Sequence, residues 1–405
     1  MPRAFLVVMD SVGIGGAPDA AQFYNGDLPD TGANTVGHIA AACAAGQAQE
    51  GRSGPLCVPT LDALGLGAAL TLASGMQAPE GLNGQSIIGA WGAATELSQG
   101  KDTPSGHWEL AGVPVPWDWH IFPDQTPAFP QDLLTKIAAA AGTDGTLANC
   151  YASGTEVLER MGAEHIQTGW PICYTSVDSV LQIAAHEEVF GLDRLLQLCA
   201  DIAPIVHAQK LGRVIARPFL GDPQGGFRRT VNRKDFAIAP PSSTLCDYVA
   251  QAGHAVHAVG KIGDIFSMRG ITDVRKGSDA DLMTHLETHI QTAEDSAFVF
   301  ANFVEFDSLY GHRRDISGYA RHLAWFDTAL SRLLPRLRPD DLLIVTADHG
   351  NDPSWPGTDH TRERVPVLVH GLGARALGHL AFVDVAATVA AHLSVPYAGE
   401  GRSFL

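Results

Sequence analysis

The chain is short of positive charge. It carries 27 Lys and Arg against 44 Asp and Glu, a formal net charge of −17. Such a surface repels phosphate backbones and anionic bilayers, which excludes nucleic acid and membrane surfaces as principal partners. A local basic pocket for a small phosphorylated molecule is still allowed. Cysteine is scarce as well: there are six, at 43, 57, 150, 173, 199 and 246, with no CxxC pair and no zinc-ribbon spacing. The expectation is buried free thiols in a reducing compartment. Long apolar runs are missing. The opening MPRAFLVVMDSVGIGG is too short in apolar residues before Asp10 for a signal segment or a membrane span, and no later run reaches about eighteen. This reads as a cytoplasmic protein with no obligate protein partner in evidence. Neither GxGxxG nor GxxxxGK[ST] occurs, so the glycines at 13, 15 and 16 form no dinucleotide or P-loop fingerprint. No internal repeat or low-complexity segment is found.

What is present is an α/β rhythm in 405 residues, of which 45% are hydrophobic, enough for two domains or one large domain with an insertion. Three apolar runs lead into an aspartate: Ala4–Met9 into Asp10, Ala297–Val304 into Glu305-Phe306-Asp307, and Leu342–Val345 into Asp348. In a parallel sheet, all three would emerge on one edge. His312, His349 and His360 fall in the loops that follow. Three carboxylates and three imidazoles without a thiol suit a pair of divalent ions of intermediate hardness, Mn²⁺ or Zn²⁺. Asp359 is a fourth carboxylate in the same stretch, expected to shape a turn or to support a ligand from behind.

The segment Gly100-Lys101-Asp102-Thr103-Pro104-Ser105-Gly106-His107-Trp108-Glu109 reads either as a Pro-Ser-Gly turn or as a nucleophilic hydroxyl at a helix N-terminus. Two ions beside Thr103 would lower the pKa of its hydroxyl and clamp a phosphoryl group. Metal-assisted phosphoryl transfer through phospho-Thr is the reading this supports; hydrolysis by an activated water is its nearest competitor.

Near Val113 the texture changes. Pro114, Pro116, Pro123, Pro127 and Pro130 mark entry into a second domain. Its periodicity predicts helices over 131–141 and 192–206 and a strand over 214–219. It carries Tyr174-Thr175-Ser176-Val177-Asp178-Ser179 and five arginines, Arg213, Arg217, Arg228, Arg229 and Arg233. A solvated basic face and an anion-binding surface both fit that cluster. After Pro240-Pro241 the α/β rhythm resumes. Helices are expected over 35–45, 59–66, 244–253, 280–292 and 384–393, strands over 255–259 and 365–369, with Lys261 just after the former. Ser317 is expected to cap a long amphipathic helix.

Asp348-His349-Gly350 with His360, Asp307 with His312, and Asp10 after the first strand resemble the alkaline phosphatase superfamily. Within it, the segments 101–109, 311–315 (GHRRD) and 357–363 (GTDHTRE) are similar to the phosphopentomutase family, as are 174–179 and 212–219 (GRVIARPF) to that family's cap. The resemblance runs from Asp10 nearly to Phe404. It implies an α/β fold: an alkaline-phosphatase-like core, 1–115 and 238–405, with a mostly parallel sheet flanked by helices, and an inserted α+β cap, 116–237. It implies interconversion of ribose 1-phosphate and ribose 5-phosphate, and of the 2-deoxy sugars, in nucleoside catabolism. It implies two Mn²⁺ per subunit, one held by Asp307, His312 and His360 and the other by Asp10, Asp348 and His349. Thr103 would carry the phosphoryl group, primed by a sugar bisphosphate (glucose 1,6-bisphosphate or ribose 1,5-bisphosphate). Ser176 and Asp178 would address sugar hydroxyls; Arg213, Arg229 and Lys261 would hold the other phosphate, with Arg228 an alternative to Arg229. Ser105 stands where the family has a second Thr, which leaves a hydroxyl there too.

Overall fold

The computed structural model describes residues 1–83, 85–176 and 179–405. The chain divides into two compact units, Met1–Pro116 with Pro240–Leu405, and Trp117–Ala239. The first is built on an eight-stranded sheet. Across it the strands run in the order Asp273–Arg275, Val256–Val259, Phe298–Phe303, Ala4–Met9, Leu342–Thr346, Val365–His370, Ala90–Thr95 and Arg375–Ala381. All point the same way except Val365–His370, which is antiparallel to both neighbours.

The three central strands are buried along their whole length. Helices cover both faces of a sheet of this kind, which is why these strands are continuous apolar runs rather than alternating ones. Their register sets Met9 beside Phe303 and Val8 beside Thr346. The carboxyl ends of the three strands therefore lie side by side, and the residues that follow them share one edge.

The second unit is a smaller mixed sheet, ordered Lys234–Ala237, Arg213–Asp222, Val180–His186, Ile172–Thr175 and Leu147–Tyr151, with Gly226–Arg229 paired to Arg213–Asp222. The helices Gln131–Ala141 and Leu192–His207 bury Leu133, Ile137, Leu198 and Ile202 with Leu181, Ile183 and Val214 of the sheet. The helix Gly154–Thr168 places Val157 and Leu158 with Ile172, Tyr174 and Phe219.

The structure departs from sequence expectation in several places. Asp315, not Ser317, caps the helix Ile316–Leu333; its carboxylate accepts from the Gly318 N–H at 2.7 Å, three residues on. The 59–66 helix is two, Pro59–Ala63 and Leu66–Ser74, broken at Gly65 with φ +108°. Only glycine suits that turn, because a side chain there would also strike Trp91. The strands Ala90–Thr95 and Arg375–Ala381 lack the apolar continuity that marks the others. Segment 100–109 does not form a turn; it opens the helix Thr103–Leu110. All six cysteines are free, but Cys57 is exposed rather than buried. Among the described residues, no helix is long and apolar enough to cross a membrane.

Candidate active site

Asp10, Asp348 and His349 converge at the carboxyl edge of the core sheet, each offering one ligand atom within 4.8 Å of the others. All three are almost completely buried. His349 Nδ1 lies 3.1 Å from the Gly350 carbonyl, which fixes the hydrogen there and leaves Nε2 a bare lone pair. That lone pair faces Asp348 Oδ2 at 3.3 Å and Asp10 Oδ1 at 3.6 Å. Burial holds His349 neutral, with its pKa lowered to about 4. Burial, and then the charges of Asp348 and Asp307, push the Asp10 carboxyl well above its usual range. Asp10 Oδ1 is buried and accepts no hydrogen bond from any described residue. Two carboxylates and an imidazole nitrogen thus face one another, none of them donating a hydrogen bond to another. Without an ion, only a proton on Asp10 eases that crowding, whereas a divalent cation would use all three electron pairs at once, so these residues fit a metal ion.

The second group is Asp307, His312 and His360, again within 4.8 Å. His312 Nε2 is 3.1 Å from Asp307 Oδ2, and His360 Nε2 is 3.4 Å from Asp307 Oδ1. Each imidazole is anchored through Nδ1 on a backbone carbonyl: His312 on Thr358 at 2.6 Å, His360 on Lys101 at 2.7 Å. Both therefore present Nε2 to the same carboxylate, the orientation a metal-bound histidine needs. Burial would raise Asp307, but His360 and His312 outweigh it and hold the carboxyl well below its usual range. The His349 and His360 rings stack with centroids 3.9 Å apart, so the two groups adjoin.

Thr103 opens its helix, and its hydroxyl lies 3.3 Å from His349 Nε2. Ser105 is fully buried, and its hydroxyl donates to Asp102 at 2.8 Å while its N–H caps on the same carboxylate at 3.0 Å. Of the two hydroxyls, only that of Thr103 is directed toward the clustered ligands. Gly106 lets the helix rest against them: a Cβ there would stand 2.1 Å from the Asp348 carbonyl oxygen. Asp359 does not join either group. It pairs with Lys101 at 3.1 Å and accepts from the His360 N–H at 2.8 Å.

Several residues supporting this edge are not singled out by the sequence reading. Asn302 donates from Nδ2 to Asp10 Oδ2 and to His107 Nε2, both at 2.9 Å. His107 in turn donates from Nδ1 to the Thr103 carbonyl at 2.9 Å and lies 3.0 Å from Asp348 Oδ2. One buried chain thus links both carboxylates to the Thr103 helix. The buried Arg362 bonds Asp19 at 3.0 and 2.8 Å, Glu96 at 2.6 Å and the Gly100 carbonyl, which ties the His360 loop to the segment before Thr103. Asn302 had a signal: it is a lone amide in the apolar strand FVFANF. Arg362 and His107 sit inside motifs already noted, but their partners are far off in sequence.

The remaining candidates are more dispersed. Lys261 is exposed in the first unit, where it precedes the short helix Ile262–Ile265. In the second unit, Ser176 Oγ accepts from Gln182 at 3.1 Å. Arg213 opens the longest strand, 3.9 Å from Asp235. Arg229 ends the Gly226–Arg229 strand, with its guanidinium beside Gly154. Asp178 lies outside the described residues.

Comparison with known proteins comes from the whole chain. Residues 2–397 match the metalloenzyme superfamily. A phosphopentomutase of Chelativorans sp. (strain BNC1) is 53% identical over 412 residues, covering 100% of this chain and 98% of that protein. Phosphopentomutases of Rhizobium meliloti (strain 1021) and Methylorubrum extorquens (strain PA1) are each 52% identical, with 100% of both chains covered.

Proposed function

The chain belongs to the phosphopentomutase family and is an enzyme of the phosphotransferase isomerase class; from that premise we propose that it interconverts ribose 1-phosphate and ribose 5-phosphate, and their 2-deoxy equivalents, through a phospho-Thr103 intermediate. The observation that carries this is the Thr103 hydroxyl, 3.3 Å from His349 Nε2 at the meeting of two carboxylate–imidazole groups. Binding alone would not call for a hydroxyl there.

Asp10, Asp348 and His349 would hold one Mn²⁺, and Asp307, His312 and His360 the other. When bound, the ions supply Lewis-acid charge to the transferring phosphoryl group and lower the pKa of the Thr103 hydroxyl. The chain's own residues do the rest. Asp102 caps the helix and sets Thr103 on its first turn, where the helix dipole favours the negative charge of a phosphate. Phospho-Thr103 gives its phosphoryl group to the free hydroxyl of the pentose phosphate: the Thr103 O–P bond breaks, a sugar O–P bond forms, and the proton of that hydroxyl ends on the freed Thr103 oxygen. The resulting bisphosphate returns its other phosphoryl group to Thr103 and departs as the isomer. A sugar bisphosphate such as glucose 1,6-bisphosphate or ribose 1,5-bisphosphate phosphorylates the resting enzyme.

The unit Trp117–Ala239 acts in this reading as a cap that excludes water during transfer. Ser176 and Asp178 address the sugar hydroxyls, and Arg213, Arg229 and Lys261 the phosphate that is not being transferred. Support comes from charge: four of the arginines between 213 and 233 influence Asp235 or Tyr174, a local reversal of sign in a chain of −17. The setting is nucleoside catabolism in the cytoplasm. The test is a coupled assay with Mn²⁺ and glucose 1,6-bisphosphate. Ribose 1-phosphate should become ribose 5-phosphate without loss of phosphate; steady release of inorganic phosphate with no isomer formed would make the protein a hydrolase instead.

A further inference from the structure

A third group of ligating side chains lies at the other end of the core sheet. His257 is on the strand Val256–Val259, Asp273 begins the edge strand Asp273–Arg275, and His289 is in the last turn of the helix Asp279–Thr292. His257 and Asp273 are register partners, so their side chains leave neighbouring strands on one face. One ligand atom from each of the three lies within 4.8 Å of the others. His257 is also level with Val299, near the start of the strand whose far end leads to Asp307. Four residues of strand, about 13 Å at ~3.3 Å per residue, separate it from Phe303 at that end. This group is distinct from the catalytic edge.

Hydrogen accounting points to a cation. The His257 ring stands between two carboxylates, with Nδ1 in very short contact with Asp273 Oδ1 and Nε2 3.0 Å from Glu294 Oε2. A neutral imidazole has one hydrogen to give. If Glu294 receives it, the Nδ1 lone pair meets the Asp273 oxygen, and the pair is satisfied either by a shared proton or by a metal ion that both atoms ligate as they move apart. His289 tips the choice. It is 8% exposed, its ring stacks on His257 with centroids 4.6 Å apart, and it makes no side-chain hydrogen bond among the described residues. A hydrogen-bonded His257 alone gives the mostly buried His289 ring no role, whereas a metal ion would take a nitrogen from each ring.

We propose that His257, Asp273 and His289 bind one zinc-class divalent ion that fastens the edge strand Asp273–Arg275 and the helix Asp279–Thr292 to the sheet. Two imidazoles and a carboxylate are a borderline nitrogen–oxygen set suited to such an ion, with a fourth position left for water. Glu294 is the carboxylate behind a metal-bound histidine: it takes the Nε2 hydrogen and so turns Nδ1 toward the metal. Arg275 approaches Asp273 through Oδ2 at 3.5 Å, which leaves Oδ1 to the site, and the partial exposure of Asp273 gives an ion a way in.

The experiment is elemental analysis of full-length protein equilibrated with Zn²⁺ and freed of excess. The unaltered chain should hold one more zinc per chain than either His289→Gln or Asp273→Asn. Both variants should keep the activity of the unaltered protein when assayed with Mn²⁺, which also shows that they fold. An equal zinc count in all three proteins would overturn the proposal and leave His257 simply hydrogen-bonded between two carboxylates. Because the readout is a difference of one ion, it is independent of how many ions the catalytic edge takes.

Discussion

The two groups at the carboxyl edge of the core sheet use the same residue types and solve different electrostatic problems. Asp307 is balanced by its neighbours: two imidazoles face it, and Asn351 donates to it at 2.7 Å. Its histidines are tied to backbone carbonyls, and the His312 side chain is 40% exposed. The Asp10 group is closed off. It holds two carboxylates for one imidazole, that imidazole is neutral, and Asp10 Oδ1 has no hydrogen bond among the described residues. The first group is balanced by its own imidazoles; the second carries a charge conflict that either a proton on Asp10 or a bound cation relieves. Thr103 stands on the side of the group in conflict, where the strongest local demand for positive charge is concentrated.

The largest expected effect separates chemistry from metal holding. Thr103→Ala should lower mutase activity by roughly a thousandfold or more, while calorimetric titration still registers Mn²⁺ at both groups. Loss of an ion along with activity would mean that Thr103 is itself a ligand and that the two groups are not independent of it.

Paired variants of the aspartates sharpen the contrast, because in chelator-treated protein they should have opposite signs. Asp307→Asn breaks a formed pair and should cost about 2 kcal/mol at neutral pH, less than a fully buried pair because His312 is partly in solvent. Asp10→Asn removes a charge held in conflict and should gain about 1 kcal/mol. The pH dependence follows from the directions of the shifts. The Asp307 carboxyl is depressed, so its stabilisation is present above the ordinary carboxylate range and is lost as pH falls through the depressed value. The Asp10 carboxyl is raised, so its favourable protonated form contributes below the ordinary range and is lost as pH rises through the raised value. The benefit of Asp10→Asn should therefore grow from acid to neutral pH, and the cost of Asp307→Asn should vanish in acid. Urea unfolding across that range reads both; equal signs at neutral pH would erase the distinction.

The smallest effect lies away from both groups. Arg213→Ala should raise KM for ribose 5-phosphate by about tenfold and change kcat little, since a contact to a remote phosphate acts mainly through binding. A fall confined to kcat would place Arg213 nearer the reacting atoms.

Much of this edge is legible in sequence because a parallel sheet makes it so. Apolar runs ending at Asp10 and Asp348, and another leading to Asp307, must deliver those residues to one side, and the following histidines have short tethers. The support behind them is less legible. Asn302, His107 and Arg362 act on residues 195 or more positions away or across separate loops, and no local pattern encodes such a pairing. Ser317 looks like a cap by type, but Asp315 stands three residues before the N–H it satisfies. The reversed strand Val365–His370 is as apolar as the central parallel strands, so its direction could be read only from its pairing.

The most direct test of the account is the location of the phosphate. Protein incubated with Mn²⁺ and glucose 1,6-bisphosphate, quenched and digested, should carry phosphate on Thr103 in the peptide spanning residues 101–109. Phosphate on Ser105, or catalytic turnover with no phosphorylated peptide at all, would contradict it.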